Sequence, residues 1–434
     1  MNYEEARKYI EGVAAFGSKL GLDNITNLCR LLEDPQKRLK FVHVAGTNGK
    51  GSTVAYISSI LINAGFKTGI YTSPFVERFS ERIRINDEEI SGEDFARHAT
   101  RVRETAERMI AEGIGAPTEF ELICAIAFLY FAENNCDICV LEVGMGGRLD
   151  ATNVIDPPLL CCITPISYDH MEYLGDTPEK IAFEKAGIIK KGTNVLIYPQ
   201  TPGVEKVFEE VCRERGAVFH KCVLPEGIKS SGIDGLEFEY GEKVYETGLL
   251  GSYQINNAAM AISGARLLRS RGLKISEENI YEGIKAAVWH ARFELLRKDP
   301  CVFIDGSHNV QGMETLAESI RLYFGEKKII LMIGILKDKE YGKMLDIILP
   351  FAKKVFTVTV PSPRALSAQE LAEEAKKRTE AEVRSVEDPE EALEETLKEA
   401  ADSDVICACG SLYYVGIIRK ALISGDPVRG ANRD

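Results

Sequence analysis

Between Phe41 and Thr53 the sequence leaves the backbone little choice. Phe41-Val42-His43-Val44-Ala45 is a short apolar run that reads as a buried strand. Gly46-Thr47-Asn48-Gly49-Lys50-Gly51-Ser52-Thr53 follows, and residues 53–64 read as a helix ended by Gly65. A buried strand, a glycine turn and a helix make the opening of a β-α-β unit, which commits the chain to a mostly parallel sheet. Glycines allow a tight turn with N–H groups pointing inward, and the helix start adds partial positive charge. In this context the loop suits a phosphate. Lys50 would reach terminal phosphates, and Ser52 or Thr53 would offer a hydroxyl to Mg²⁺. The loop departs from the general pattern. Gly46 comes three residues before Gly49 rather than five, and Gly51 separates Lys50 from Ser52. The competing reading is a flexible turn without a ligand.

Strands and helices alternate through most of the remaining chain, again predicting α/β architecture. Strands are expected at residues 67–71, 137–143 and 159–164. A hairpin around Asn86-Asp87 is expected over residues 82–90, and Ser91 and Asp94 resemble a capping box. Residues 119–132 read as a buried helix, and Thr177-Pro178 as a helix start. Glycines at 232, 235, 241 and 248 suggest antiparallel hairpins decorating the first domain, followed by helices over 254–271 and 276–288. A second series has strands at 301–304, 328–333, 354–358 and 404–407. The charged run Arg297-Lys298-Asp299-Pro300 marks a boundary, giving domains 1–297 and 298–434. The acidic stretch 387–404 reads as a solvated helix face.

Composition excludes several classes. The 434 residues are 45% hydrophobic and 27% charged, ordinary values for a globular protein. The longest apolar run, residues 122–132, is shorter than the ~20 residues a membrane helix needs. A net charge of −13 argues against nucleic-acid partners. The N-terminus lacks a secretory signature, and eleven cysteines sit mostly in apolar runs, so a reducing cytoplasm is expected. Cys136/Cys139 and Cys407/Cys409 could be metal pairs, but Cys139 opens a buried strand, and core roles are expected instead.

The loop with its lead-in, His43 to Thr53, resembles the phosphate loop of folylpolyglutamate synthases, members of the Mur ligase superfamily. The resemblance continues in order along nearly the whole chain. It takes in Lys19-Leu20-Gly21-Leu22-Asp23-Asn24, Thr72-Ser73-Pro74-Phe75, Glu81-Arg82-Ile83 and Thr118-Glu119-Phe120-Glu121. It goes on through Glu142 to Asn153, Asp169-His170, Glu184-Lys185-Ala186-Gly187, Trp289 and Arg292-Phe293-Glu294. Asp305-Gly306-Ser307-His308-Asn309 and Gly410-Ser411-Leu412-Tyr413 complete it. The resemblance implies an N-terminal P-loop ATPase domain with folate-binding loops. A smaller Rossmann-like domain would add ATP and glutamate contacts, with the active site between the two. It implies a cytoplasmic, monomeric ligase of folate and one-carbon metabolism that joins L-glutamate to a folate γ-carboxyl with ATP, through an acyl phosphate.

Site residues follow from the same resemblance. Gly46, Thr47, Asn48, Gly49, Lys50, Gly51, Ser52, Thr53, Asn257, Arg292 and Asp305 would bind ATP. Lys50, Lys185 and His308 would be catalytic, with Lys185 carbamylated. Ser73, Phe75, Arg82, Thr118, Phe120 and Glu121 would line the substrate site. Two Mg²⁺ ions are implied, one on Ser52 and one on Ser73, Glu142 and His170, with K⁺ as a further cation. Read on its own residues, Glu142 at the tip of a buried strand could also cap the adjacent glycine turn, and Lys185 could be a solvated lysine. Arg292 could be an interdomain salt bridge and Asp305 a helix cap.

Two departures stand out: Tyr253-Gln254 where many relatives have His-Gln, and Val310 where proline is frequent. Three alternatives are weighed against glutamate addition to tetrahydrofolate. One is dihydrofolate synthase, which adds the first glutamate to dihydropteroate. A second is a muramyl-peptide ligase, disfavoured because only 45 residues precede Gly46. The third is a non-catalytic nucleotide switch.

Overall fold

The computed structural model describes residues 1–13 and 21–423. Lys19 and Leu20 of the first matching segment lie outside the described residues. The chain divides into two compact units. One comprises Met1–Pro225 and Asn256–Ala287, the other Glu226–Ile255 and Val288–Asp434.

The first unit is built on a sheet of eight strands. In chain order these are β1 (Phe41–Ala45), β2 (Thr68–Tyr71), β3 (Ile83–Ile85), β4 (Glu88–Glu89), β5 (Ile138–Glu142), β6 (Leu160–Ile163), β7 (Asn194–Ile197) and β8 (Val218–Lys221). Their order across the sheet is β4-β3-β2-β5-β1-β6-β7-β8. β1 lies parallel between β5 and β6, and only the hairpin strands β3 and β4 run antiparallel to their neighbours. All five residues of β1 and of β5 are buried, as expected for parallel strands covered on both faces. The helix Glu119–Glu133 buries twelve of its residues against one side, and Thr118 and Glu121 close its N-terminus as a capping box. Ser91 and Thr177 cap their helices as the sequence predicts.

The second unit carries a three-stranded antiparallel sheet, β9 (Ile228–Gly232), β10 (Gly235–Tyr240) and β11 (Lys243–Thr247). It also carries a six-stranded sheet. Its strands are β12 (Glu294–Lys298), β13 (Cys301–Asp305), β14 (Ile329–Ile333), β15 (Ala352–Thr357), β16 (Glu382–Ser385) and β17 (Val405–Cys409), in the order β12-β13-β17-β14-β15-β16. Only β12 is antiparallel. This is the open, mostly parallel sheet expected of a Rossmann-like domain.

The division differs from a single boundary at residues 297/298 in two ways. The hairpins group with the second unit, because Leu250 belongs to its core, Ile233 packs against that core, and Asp234 pairs with Lys298 at 3.1 Å. The charged run Arg297-Lys298 is not a linker but the end of edge strand β12. An exposed edge strand tolerates charge, so its sequence looks like a boundary. Cys139 and Cys407 are buried in strands, and every cysteine is free. Among the described residues no cluster of three or more His, Cys, Asp or Glu could hold a metal, and no helix is long and apolar enough to cross a membrane.

Candidate active site

Ligands in open parallel sheets bind beyond the carboxyl ends of the strands, where the strand order reverses. In the first unit that point is β1, flanked by β5 and β6. The loop after β1 is shaped by the segment after β6. Thr47 N–H donates to Pro165 O at 2.8 Å, and Thr47 Oγ1 donates to Ser167 O at 3.1 Å and accepts from Ser167 N–H at 3.0 Å. Gly46 has φ 150° and packs so tightly that a Cβ would lie 1.8 Å from Thr164 Oγ1. Gly49 has φ 82°, and a Cβ there would lie 2.6 Å from Asn257 Oδ1. Both glycines are therefore required, and Asn257 is placed on the loop. The helix Lys50–Asn63 starts three residues earlier than residue 53, so Lys50 to Thr53 form its first turn. Ser52 and Thr53 are buried, while Asn48, Gly49, Lys50 and Gly51 are half-buried.

Two lysines converge on this loop. Lys50 Nζ donates to Gly46 O at 3.2 Å and Thr47 O at 3.1 Å. Lys185 Nζ donates to the same Gly46 O at 2.8 Å. Lys185 is 4% exposed, so the solvated reading fails. Burial pushes its ammonium down to about 7, and the Lys50 charge adds to the effect, against Asp169 and Asp150. Its place depends on two glycines. A Cβ at Gly147 would lie 3.0 Å from Lys185 O, and one at Gly187 would lie 2.3 Å from Arg148 Cα.

Glu142 ends β5, is buried, and accepts from Ser73 N–H at 3.2 Å, joining two predicted metal ligands. His170 has φ 49°, precedes the short helix Met171–Leu174, and has an exposed ring 3.9 Å from an Asp169 oxygen. Arg82 stacks over Phe75 and Phe79, 5.4 and 5.3 Å from their centroids. Glu81 fixes the preceding turn by accepting from the N–H groups of Val76, Glu77 and Arg78. Phe120 covers Gly144, where a Cβ would sit 2.5 Å from its Cζ. Thr118 and Glu121 hold each other and Ile25 N–H, so the geometry gives them a structural task.

One buried chain went unread in the sequence. His43 Nε2 lies 2.8 Å from Thr152 Oγ1, which donates to Asp150 Oδ1 at 2.5 Å, and Asp150 Oδ2 accepts from Met145 N–H at 2.9 Å. It ties β1 to the glycine turn after β5. Burial pushes His43 down to about 3, so the ring is neutral.

In the second unit, Asp305 ends β13 and is 1% exposed. Its Oδ1 accepts from Ser307 N–H at 2.8 Å and from Ser307 Oγ. Its Oδ2 accepts from Phe293 N–H at 2.7 Å and from the Tyr253 hydroxyl at 3.2 Å. The helix cap is Asn309, whose Oδ1 accepts from Gly312 N–H at 2.8 Å, rather than Asp305. Arg292 sits against Gly306, where a Cβ would lie 2.9 Å from its Nη1. His308 Nδ1 lies 2.8 Å from Gly306 O, a distance at which the proton belongs on Nδ1 and Nε2 can accept.

A phosphate loop on one parallel sheet and a Rossmann-like second unit define a Mur-type ligase. The family model described as the Mur ligase middle domain matches residues 44–265, and the Mur ligase glutamate ligase domain matches residues 291–412. The chain is 37% identical over 431 residues to the dihydrofolate synthase/folylpolyglutamate synthase of Bacillus subtilis, covering 97% of this chain and 99% of that protein. It superposes on the crystal structure of Thermotoga maritima folylpolyglutamate synthase with a TM-score of 0.84 and 36% identity, covering 98% and 97% of the two chains. Escherichia coli FolC in complex with DHPP and ADP gives a TM-score of 0.83 at 27% identity, covering 96% and 98%. The chain belongs to the folylpolyglutamate synthase family.

Proposed function

We propose that this enzyme uses ATP to join L-glutamate to the γ-carboxyl of tetrahydrofolate and its polyglutamates. The observation that carries this reading is the pairing of Lys50 with buried Lys185 on Gly46 O, at the end of β1. A carboxylate must become an acyl phosphate before an amine can displace it. A folate carboxylate oxygen attacks the γ-phosphorus of ATP and ADP departs. The glutamate amine then attacks the acyl carbon, loses a proton, and expels phosphate. Both anions must be held together against repulsion, and preorganised cations do this best. Lys50 suits the phosphates. Arg292, a fixed fork of donors, suits nucleotide phosphates. His308 can take the amine proton at Nε2.

Ser52, Ser73, Glu142 and His170 would hold Mg²⁺. The buried carboxylate of Glu142 beside Ser73 and the buried Ser52 hydroxyl are hard oxygen donors that fit such an ion. Bound there, Mg²⁺ would screen phosphate charge. Lys185, with part of its population as free amine near neutral pH, can add CO₂ to give a carbamate and release a proton. The carbamate N–H can still donate to Gly46 O.

Dihydrofolate synthase activity on the same site is the second reading, favoured by the name of the Bacillus subtilis relative and by the DHPP in the Escherichia coli complex. The free, mostly buried cysteines support a reducing, cytoplasmic compartment. A heavy-oxygen label in the folate γ-carboxylate tests the route. It should appear in the released phosphate, and its retention in the amide alone would exclude an acyl phosphate.

A further inference from the structure

The surroundings of Tyr253 in the second unit assign it a task. The hydroxyl donates to Asp305 Oδ2 at 3.2 Å, beside Phe293 N–H at 2.7 Å. With Ser307 filling Oδ1, four donors surround a carboxylate that is 1% exposed. A buried charge needs such a complete set. Phe293 N–H belongs to a strained segment, with Ala291 at φ 55° and Phe293 at φ 49°. Left-handed backbone at a bulky residue is strained and persists only where its surroundings hold it. Here it is held by Asp305 at Phe293, by Gly306 N–H on Ala291 O at 2.8 Å, and by Glu294 Oε2 on Ala291 N–H at 2.7 Å. Arg292 is the residue between the two left-handed positions, and its guanidinium rests against Gly306.

Tyr253 is itself fixed by its neighbours. A Cβ at Gly251 would lie 2.8 Å from its ring, Gly251 N–H donates to Tyr323 OH at 3.3 Å, and Ser252 N–H donates to Ser319 Oγ at 3.1 Å. The hydroxyl is thus a rigid donor anchored to the helix Val310–Phe324. We propose that Tyr253 is a positioning residue for Arg292. Its hydroxyl completes the shell of Asp305, and Asp305 locks the Ala291–Phe293 kink that aims the guanidinium. The inference rests on the reading of Arg292 as a ligand of the ATP phosphates. It also assigns Asp305 to holding this kink rather than to binding ATP directly.

The test is a double-mutant cycle on the full chain, reading the Kd of the ATP analogue AMPPCP with Mg²⁺ by calorimetry. Tyr253→Phe should weaken binding about tenfold, the size of one lost hydrogen bond to a charged group, and raise KM for ATP more than it lowers kcat. In an Arg292→Ala background the same change should have no further effect. Tyr253→His, which restores a donor, should bind within about twofold of the parent. If Arg292→Ala leaves the Kd unchanged, the nucleotide role of Arg292 falls and the inference with it. If Arg292→Ala weakens binding while Tyr253→Phe does not, only the inference falls. An equal loss from Tyr253→Phe in both backgrounds would show a structural effect without Arg292 and would overturn it, as would a Tyr253→His variant as weak as Tyr253→Phe.

Discussion

The ammonium of Lys50 and the side-chain nitrogen of Lys185 share one acceptor, the carbonyl oxygen of Gly46, at 3.2 and 2.8 Å. Two cations would not settle on one buried carbonyl, so the arrangement favours a neutral Lys185. The burial that pushes Lys185 down to about 7 acts in the same direction. The nitrogen that would form the carbamate is therefore prepared by the fold.

Replacement of either lysine should be severe. Lys185→Ala should lose most activity, and Lys50→Met should lower kcat by about 10²–10³, the usual cost of one preorganised charge. Lys185→Arg should also fail, because it keeps a cation that cannot take up CO₂. Steady-state rates at saturating bicarbonate check all three, and near-normal turnover by Lys185→Arg would exclude a carbamate.

Lys185 also sets a pH dependence of stability. Unfolded, its pKa is about 10.4. Folded, it is about 7, so between these values the unfolded chain binds the extra proton. Stability contributed through this group therefore rises with pH from about 7 to about 10, and below 7 its burial penalty is present in full. Lys185→Met should be more stable than the parent at pH 6, by on the order of a few kcal/mol, and the gap should close toward pH 10. Denaturant unfolding at several pH values measures it.

His43 works in acid with the same sign. Its folded pKa is about 3, so the unfolded chain binds more protons between about 3 and 6.5. Stability should fall as pH drops through that window. His43→Gln should flatten this part of the curve, and an unchanged acid slope would show that His43 is not buried neutral.

The phosphate loop was legible because it is local. Strand, glycine and helix signals are contiguous from Phe41 to Thr53, and β1 forms where they place it. The burial of Lys185 was not legible. Phe183-Glu184-Lys185 reads as the mixed face of a helix, and only the close approach of Gly147 and Gly187 encloses it. The role of Thr164 to Ser167 was missed for a similar reason: they reach the loop because β6 lies next to β1, which needs the sheet order. The family pattern makes Thr118 and Glu121 substrate contacts, while their spacing is also that of the capping box they form. Tyr253 reads in the sequence only as a departure from His-Gln, because its hydroxyl meets Asp305 across a long stretch of chain.

The two loop glycines give a sharp steric prediction. Gly46→Ala would drive a Cβ to 1.8 Å from Thr164 Oγ1, and Gly49→Ala to 2.6 Å from Asn257 Oδ1, both at positive φ. Each should abolish detectable ATP-analogue binding by calorimetry. Gly65→Ala, with φ 83° but open space around it, should cost about 1 kcal/mol of stability and leave binding intact.

The most direct measurement is ADP release by the purified chain at fixed ATP and Mg²⁺, with tetrahydrofolate, dihydropteroate or a muramyl peptide supplied in turn, with and without L-glutamate. ADP should appear with a folate acceptor only when glutamate is present, matched by one amide formed per ADP. Release with the muramyl peptide alone, or no glutamate-dependent release with any acceptor, would contradict the account.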